Sequence, residues 1–473
     1  MSRRARVPPG PPVLQKRSTD EYAPPPDSTR ARRALARAQE GAPAAARRTD
    51  QTLPRYFESR QGTAAGLLAL NDAFGCDYYR LPPEAALDPV AASEAFGGGE
   101  LVIDVQTHYV AGRSTRTWTP RLLEMYREVQ PSWWKGLEGI EAYSLAEYLR
   151  CIYLESETAV AVLTSAPGLE DTRMLWNTEL AGTRDLFDRL GGEGRLLNHC
   201  VVHPEATGGL DAMAHASDAH HPAGWKVYTI GHLSGSGLAP RSSWWLDDEE
   251  VGVPFLERVR ALGNPLVCVH KGISALVPTG SPRDVGPAAA GFPDVKFLVY
   301  HSGYEIPTGE GPEEGPYTEA TRDLGTNRLV RTLRDARIAP GSNVYAELGS
   351  TWFCLIRRPD EAAHILGKLL LAVGEDNVLW GSDSIWYGPT QPAIDAFRAF
   401  QIPAELRERH GYPELTAARK EKILGGNAAR VYGIDPEAAA RRARSDDLAW
   451  VRNALDEFDA SGTPTAGDGG ARW

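Results

Sequence analysis

From residue 100 onward the chain repeats one pattern: a short run of β-branched and aliphatic residues ending in a polar or ionisable side chain, then a longer stretch with helical periodicity. Eight such runs occur: LVIDVQTH (101–108), TAVAVLTSAP (158–167), LLNHCVVHP (196–204), GWKVYT (224–229), PLVCVHKG (265–272), KFLVYHSG (296–303), NVYAELGS (343–350) and NVLWGSDS (377–384). Between them the periodicity predicts helices over 171–190, 247–262, 326–336, 359–373 and 390–400. Several end at a glycine (Gly191, Gly263, Gly374), the residue that most easily takes the left-handed helix-ending conformation. Continuously apolar strands alternating with helices imply a parallel sheet covered on both faces, and eight units are the number that closes a (β/α)8 TIM barrel. An open doubly wound sheet is the alternative. It lacks support because no G-x-G-x-x-G follows the first strand.

The rest of the chain reads as additions to that α/β barrel. Residues 1–53, rich in Pro, Ala, Arg and Ser, predict a flexible tail or an arm, since few large apolar side chains are present to offset the entropy of ordering. Residues 54–99 read as a helical extension, with a helix over 63–74, packing on the barrel or on a partner subunit. Residues 100–434 form the barrel. A C-terminal helix and flexible tail fill 435–473, after closing helices over 416–434 and 436–458. The arm suggests a homodimer, because such extensions gain order by wrapping a neighbour.

A net charge of -11 argues against nucleic-acid or anionic-membrane partners and favours a small-molecule substrate. The five cysteines form no CxxC pair, which fits a reducing cytoplasm and excludes a thiolate zinc site. No run reaches the roughly 18 to 20 apolar residues of a membrane span. The short apolar segment 62–70, stopped by Asn71 and Asp72, is a weak candidate for an export signal.

In a (β/α)8 barrel catalytic groups project from the C-terminal ends of the strands. Here those ends carry Gln106 and His108, Thr164, His203, Lys226, His270 with Lys271, His301, Glu347 and Asp383. Unpaired polar groups at the ends of buried strands are costly unless they share a purpose. Imidazole and carboxylate suit one divalent ion, Zn²⁺ or else Mn²⁺ or Fe²⁺, so His108, His270 and Asp383 are expected as metal ligands. His301, one strand beyond His270, is placed to act as general base or acid.

These residues in this order resemble the amidohydrolase superfamily, in the branch related to aminocarboxymuconate semialdehyde decarboxylase. The family's D-x-H-x-H corresponds to Asp104-Val105-Gln106-Thr107-His108, its strand-five histidine to His270, its catalytic strand-six histidine to His301 in YHSG, and its strand-eight aspartate to Asp383 in GSD. GGNAARVYGI (425–434) is similar to the closing helix of that branch. The resemblance spans roughly 100–434 and implies a mononuclear metal centre. It departs at Gln106, where the family has a histidine; an amide oxygen is a poorer ligand, so Gln106 is either an outer or fourth ligand or a substrate contact. Lys226, where some members carry a carboxylated lysine, is expected to act electrostatically toward a substrate carboxylate or phenolate.

Glu347 is expected as a proton shuttle, as a group orienting a ligand, or in a salt bridge to Lys226 or Lys271. His203, Lys271, Tyr304, Trp352 and Trp386 are candidate substrate contacts, with Trp225 and Tyr387 beside them as a possible aromatic slot. The function expected is hydrolysis of an amide, ester or lactone, or the reverse-type cyclodehydration giving a heterocycle such as a benzoxazole. Non-oxidative decarboxylation of an aromatic or dienoic acid is the alternative, and a barrel that only binds is a third.

Overall fold

A computed structural model describes residues 10–461, except 18, 20–21, 23–26, 113–142, 170–171, 192, 235–236, 239–241, 275–276 and 308–312. Of the predicted flexible end, 460–473, residues 460–461 belong to the last helix and 462–473 lie outside the described residues. Eight parallel strands follow one another around a single sheet: β1 (Val102–Thr107), β2 (Thr158–Leu163), β3 (Leu196–Val201), β4 (Gly224–Tyr228), β5 (Leu266–His270), β6 (Lys296–Tyr300), β7 (Val344–Glu347) and β8 (Val378–Leu379). Each falls inside one of the eight apolar runs. Every residue of β1 and β2 is buried, because the interior covers one face and the helical layer the other.

The first and last strands meet and nearly close the barrel. Val105 N donates to Trp380 O at 3.1 Å and Asp383 N to Gln106 O at 2.9 Å, and Thr107 forms a parallel bridge with Ser384. Register then levels the strand ends: Tyr228 lies opposite His270, and His270 opposite Tyr300. The interstrand helices include Asn177–Gly191, Gly252–Ala261, Gly325–Asp335, Pro359–Ala372 and Gln391–Ala399. Gly263 and Gly374 both take positive φ just beyond their helices, as their positions imply.

The N-terminal region, expected as a flexible tail or an arm, is helical and packed on the rest of the chain where it is described. Helix α1 (Thr29–Arg48) starts at a Ser28 cap and buries Ala31, Ala34, Ala38, Ala42 and Ala45. That three-and-four spacing is a helical stripe, and its methyl groups allow close approach to neighbouring elements. After a short α2 (Leu53–Glu58), helix α3 (Arg60–Phe74) packs against α1 and buries Leu67 and Leu70 in the main core. The described residues before α1 also lie on the chain's own barrel: Arg357 Nη1 donates to Gln15 O at 2.6 Å, and Arg17 donates to Tyr387 O.

At the opposite end, helices Pro436–Ser445 and Asp447–Ser461 close the molecule. Ala439 and Ala443 join the core cluster of Ile103, Val105 and Leu298. Among the described residues no helix is long and apolar enough to cross a membrane.

Candidate metal centre

The ends of β1 and β8 bring His108, Gln106 and Asp383 into direct contact. His108 Nδ1 lies 3.0 Å from Thr164 O. A carbonyl oxygen only accepts, so Nδ1 carries a proton and Nε2 is the nitrogen left to face Asp383. Nε2 stands 3.0 Å from Asp383 Oδ1, which also accepts from Gln106 Nε2 at 2.8 Å. The other oxygen of Asp383 accepts from Ser350 Oγ. Burial acts to raise the Asp383 carboxyl, but the hydrogen bond and charge of His108 outweigh it and hold the group below its ordinary value.

Two acceptors at 3.0 Å need a positive charge to hold them, either a proton on the ring or a cation bound by both. A cation is also invited by Gln106 Oε1, which is buried and has no hydrogen-bond partner among the described residues. The donor set therefore fits a divalent ion, with His108 and Asp383 as principal ligands and Gln106 Oε1 beside them. His270 lies further off, its ring 5.1 Å from Tyr228 and 4.8 Å from His301. Among the described residues His108, His270 and Asp383 do not all approach within 4.8 Å of one another, in contrast to the group His203, Glu205 and His232.

His301 follows β6 with φ of 61°, and its Nδ1 is 2.7 Å from Gly349 O. By the same tautomer argument Nε2 is the basic nitrogen. Burial, reinforced by the charge of Lys226, lowers His301 to about 4. His270 is pushed well below its ordinary value, by burial first and then by the charges of His301, Lys226 and Lys271. Glu347 accepts from the backbone N–H of His301 at 3.0 Å and of Gly349 at 2.5 Å, yet burial raises it to about 8. Asp104, which accepts from Gln106 N and Ser382 N, is raised by burial to about 7.

Glycine is required at 349 and 381: a Cβ on Gly381 would lie 1.8 Å from Glu347 Oε1, and one on Gly349 would lie 2.3 Å from Gln106 Oε1. Asp383, His301, Ser302 and Ser350 all take positive φ, half of the eight non-glycine residues that do so among those described. Each such conformation costs on the order of 1–3 kcal/mol and persists only where the surroundings enforce it.

The remaining candidates divide. The Lys226 ammonium is buried 3.5 Å above the Tyr300 ring and 4.7 Å from that of Tyr228. Its charge lowers both His270 and His301, so it favours their neutral forms. Trp386 stacks 6.1 Å from His108 and remains at the centre, and Tyr387 reaches it through Ser350 Oγ.

The other expected contacts are engaged elsewhere. Lys271 is paired with Asp284 and with Thr279 O, both at 2.8 Å, so its charge is already used inside the protein. Tyr304 is buried in the main core with its hydroxyl accepting from Arg358, and Trp352 packs on Phe397 and Phe400 with its indole N–H on Ala393 O. Both lie past strand ends, where the backbone turns and the side chain joins the outer layer. Trp225 likewise donates outward, to Asn264 O. His203 engages Glu205 and Gly168 O, away from the Asp383 contacts.

Sequence reasoning missed Ser350, although it ends the seventh run, and Tyr22, whose hydroxyl lies 3.0 Å from that of Tyr387. A chain of hydroxyls thus runs from Tyr22 through Tyr387 and Ser350 to Asp383.

The chain belongs to the amidohydrolase family, whose profile (Amidohydro_2, amidohydrolase) matches residues 103–434. Enzymes of this family are metal-dependent. No curated protein sequence matches the chain. Among solved structures it is similar to 5-carboxyvanillate decarboxylase from Sphingomonas paucimobilis, with 15% identity over 71% of this chain and 100% of that one and a TM-score of 0.41. It is also similar to 2,6-dihydroxybenzoate decarboxylase from Rhizobium, with 13% identity, 71% and 100% coverage and a TM-score of 0.43. A putative 2-pyrone-4,6-dicarboxylic acid hydrolase from Pseudomonas putida gives 15% identity, 72% and 99% coverage and a TM-score of 0.41.

Proposed function

We propose that this protein is a metal-dependent enzyme acting at a carboxyl-level carbon of a small aromatic substrate. The reaction is hydrolysis of an amide or ester, or the reverse-type cyclodehydration that forms a heterocycle such as a benzoxazole. The observation that carries this reading is the tautomer of His301. With Nδ1–H committed to Gly349 O at 2.7 Å, the neutral ring presents Nε2 as a base, the group needed to take a proton from an attacking water, hydroxyl or amine.

When bound, the divalent ion supplies Lewis acidity toward a carbonyl oxygen or a nucleophilic water. His108 and Asp383 would hold it, Gln106 Oε1 would offer a further oxygen, and His270 lies beside His301. Burial keeps His270 and His301 unprotonated, the charge of Lys226 adds to it, and that charge favours an anionic substrate group. His301 accepts the nucleophile's proton and returns it to the leaving group. Trp386 provides a flat wall beside His108 suited to a planar substrate.

Non-oxidative decarboxylation is the second reading, and it rests on Glu347. Raised to about 8, this carboxyl holds its proton at neutral pH and can deliver it to a carbon. One panel separates the two: aryl amides, esters and lactones assayed beside hydroxybenzoates monitored for CO₂. We expect turnover in the first set and its loss in His301→Asn with metal retained. Release of CO₂ with every amide and ester silent would overturn the first reading in favour of the second. Silence throughout in a fully metallated protein would leave a barrel that only binds.

A further inference from the structure

We propose that the protein carries a second divalent-cation site on the rim of the barrel, formed by His203, Glu205 and His232, and suited to a borderline ion such as Zn²⁺. His203 follows β3, and His232 lies in the loop after β4. Glu205 Oε1 is 3.2 Å from His203 Nδ1 and 2.9 Å from His232 Nδ1, and the three ligand atoms all lie within 4.8 Å of one another.

Two independent features point to a cation. The first is the ring of His203. Its Nε2 is 2.9 Å from Gly168 O, so Nε2 carries a proton, and Nδ1 faces a carboxylate oxygen at 3.2 Å, a contact that needs either a second proton on the ring or a cation between the two. A ring nitrogen donating to a backbone carbonyl while the other faces outward to a shared centre is the arrangement that orients metal-binding histidines. The second is the far oxygen of Glu205. The side chain is only 7% exposed, yet Oε2 is buried with no hydrogen-bond partner among the described residues. A buried, half-satisfied carboxylate is costly, and a cation shared with two imidazoles removes that cost.

The spacing agrees. In a tetrahedral zinc site with bonds near 2.0–2.2 Å, neighbouring ligand atoms sit about 3.3 Å apart. Shifts of a few tenths of an ångström in His203 and His232 bring the observed contacts to that value. With three protein ligands the fourth position falls to water. Because Gly168 follows β2, the ion would fasten together the loops after β2, β3 and β4 on one side of the mouth.

The test is zinc titration of metal-stripped full-length protein, with equivalents counted by calorimetry and by elemental analysis after gel filtration. Wild type is expected to bind two equivalents. Glu205→Gln, which keeps side-chain shape, and His232→Ala should each lose one, weakening that equivalent on the order of 100-fold. Asp383→Asn should lose the other. Circular dichroism establishes that each variant is folded; if His232→Ala is not, Glu205→Gln decides alone. Two equivalents retained in Glu205→Gln overturn the rim site. One equivalent in wild type that disappears in Asp383→Asn also overturns it. One equivalent that survives Asp383→Asn but disappears in Glu205→Gln supports the rim site and overturns the barrel-centre ligands instead.

Discussion

The two histidine–carboxylate clusters, one at the barrel centre and one on the rim, share a motif and differ in how it is held. In each, a histidine gives one nitrogen to a backbone carbonyl just after β2, Thr164 O for His108 and Gly168 O for His203, and turns the other toward a carboxylate. At the centre both oxygens of Asp383 are occupied, by Gln106 and His108 on one side and Ser350 on the other, and the backbone at Asp383, His301 and Ser350 is forced into positive φ. On the rim the ligands ride on loops, and one oxygen of Glu205 has no partner among the described residues. Ligand chemistry alone therefore does not mark a reacting centre. What sets the centre apart is a buried base, a raised carboxyl and an enforced backbone around the same donors.

Substitutions should separate the clusters by size of effect. Asp383→Asn is expected to reduce turnover by on the order of 1,000-fold or more, while Glu205→Gln stays within about threefold. Comparable losses in both would erase the distinction. His301→Asn should lower turnover by about 100-fold to 10,000-fold with the metal content unchanged, checked by elemental analysis; metal loss parallel to that of Asp383→Asn would make His301 a ligand. Gln106→His, restoring the family residue, should tighten the central ion on the order of tenfold in a competition titration and leave the rim equivalent unmoved.

A smaller effect concerns pH. Glu347 is raised from 4.5 to about 8 in the folded state, so the stability it contributes is complete below about pH 4.5 and is lost as pH rises through 8. In metal-free protein the melting temperature of wild type should fall relative to Glu347→Gln between pH 5 and 8; parallel curves would contradict the shift. Ser350→Ala, which removes one hydrogen bond to Asp383, should cost turnover about threefold to tenfold.

The barrel was legible because strands buried on both faces read as unbroken apolar runs, and all eight runs proved to be strands. The centre was legible for a related reason: a polar residue that ends such a run has little freedom over where it points, as with His108, His301 and Asp383. A few positions further on that constraint lapses. Tyr304 and Trp352 sit as close to strand ends in sequence, yet the chain has turned and they fill the outer layer. Glu205 and His232 belong to loops without periodicity, so only the fold brings them to His203. Helix α1 escaped notice because its buried face is alanine, whose small side chain leaves a weak apolar signal in a segment rich in arginine.

The hydroxyl chain from Tyr22 to Asp383 bears on whether the barrel is a separable module. Its two ends lie more than 300 residues apart, and Arg17 adds a second clasp onto Tyr387. A chain trimmed to residues 103–434 would keep every metal-binding side chain at the centre and yet forfeit both attachments. The segment that carries Arg17 and Tyr22 is in that sense a cotter pin: synthesised ahead of the barrel, but able to seat only after the eighth strand and the turn beyond it have emerged.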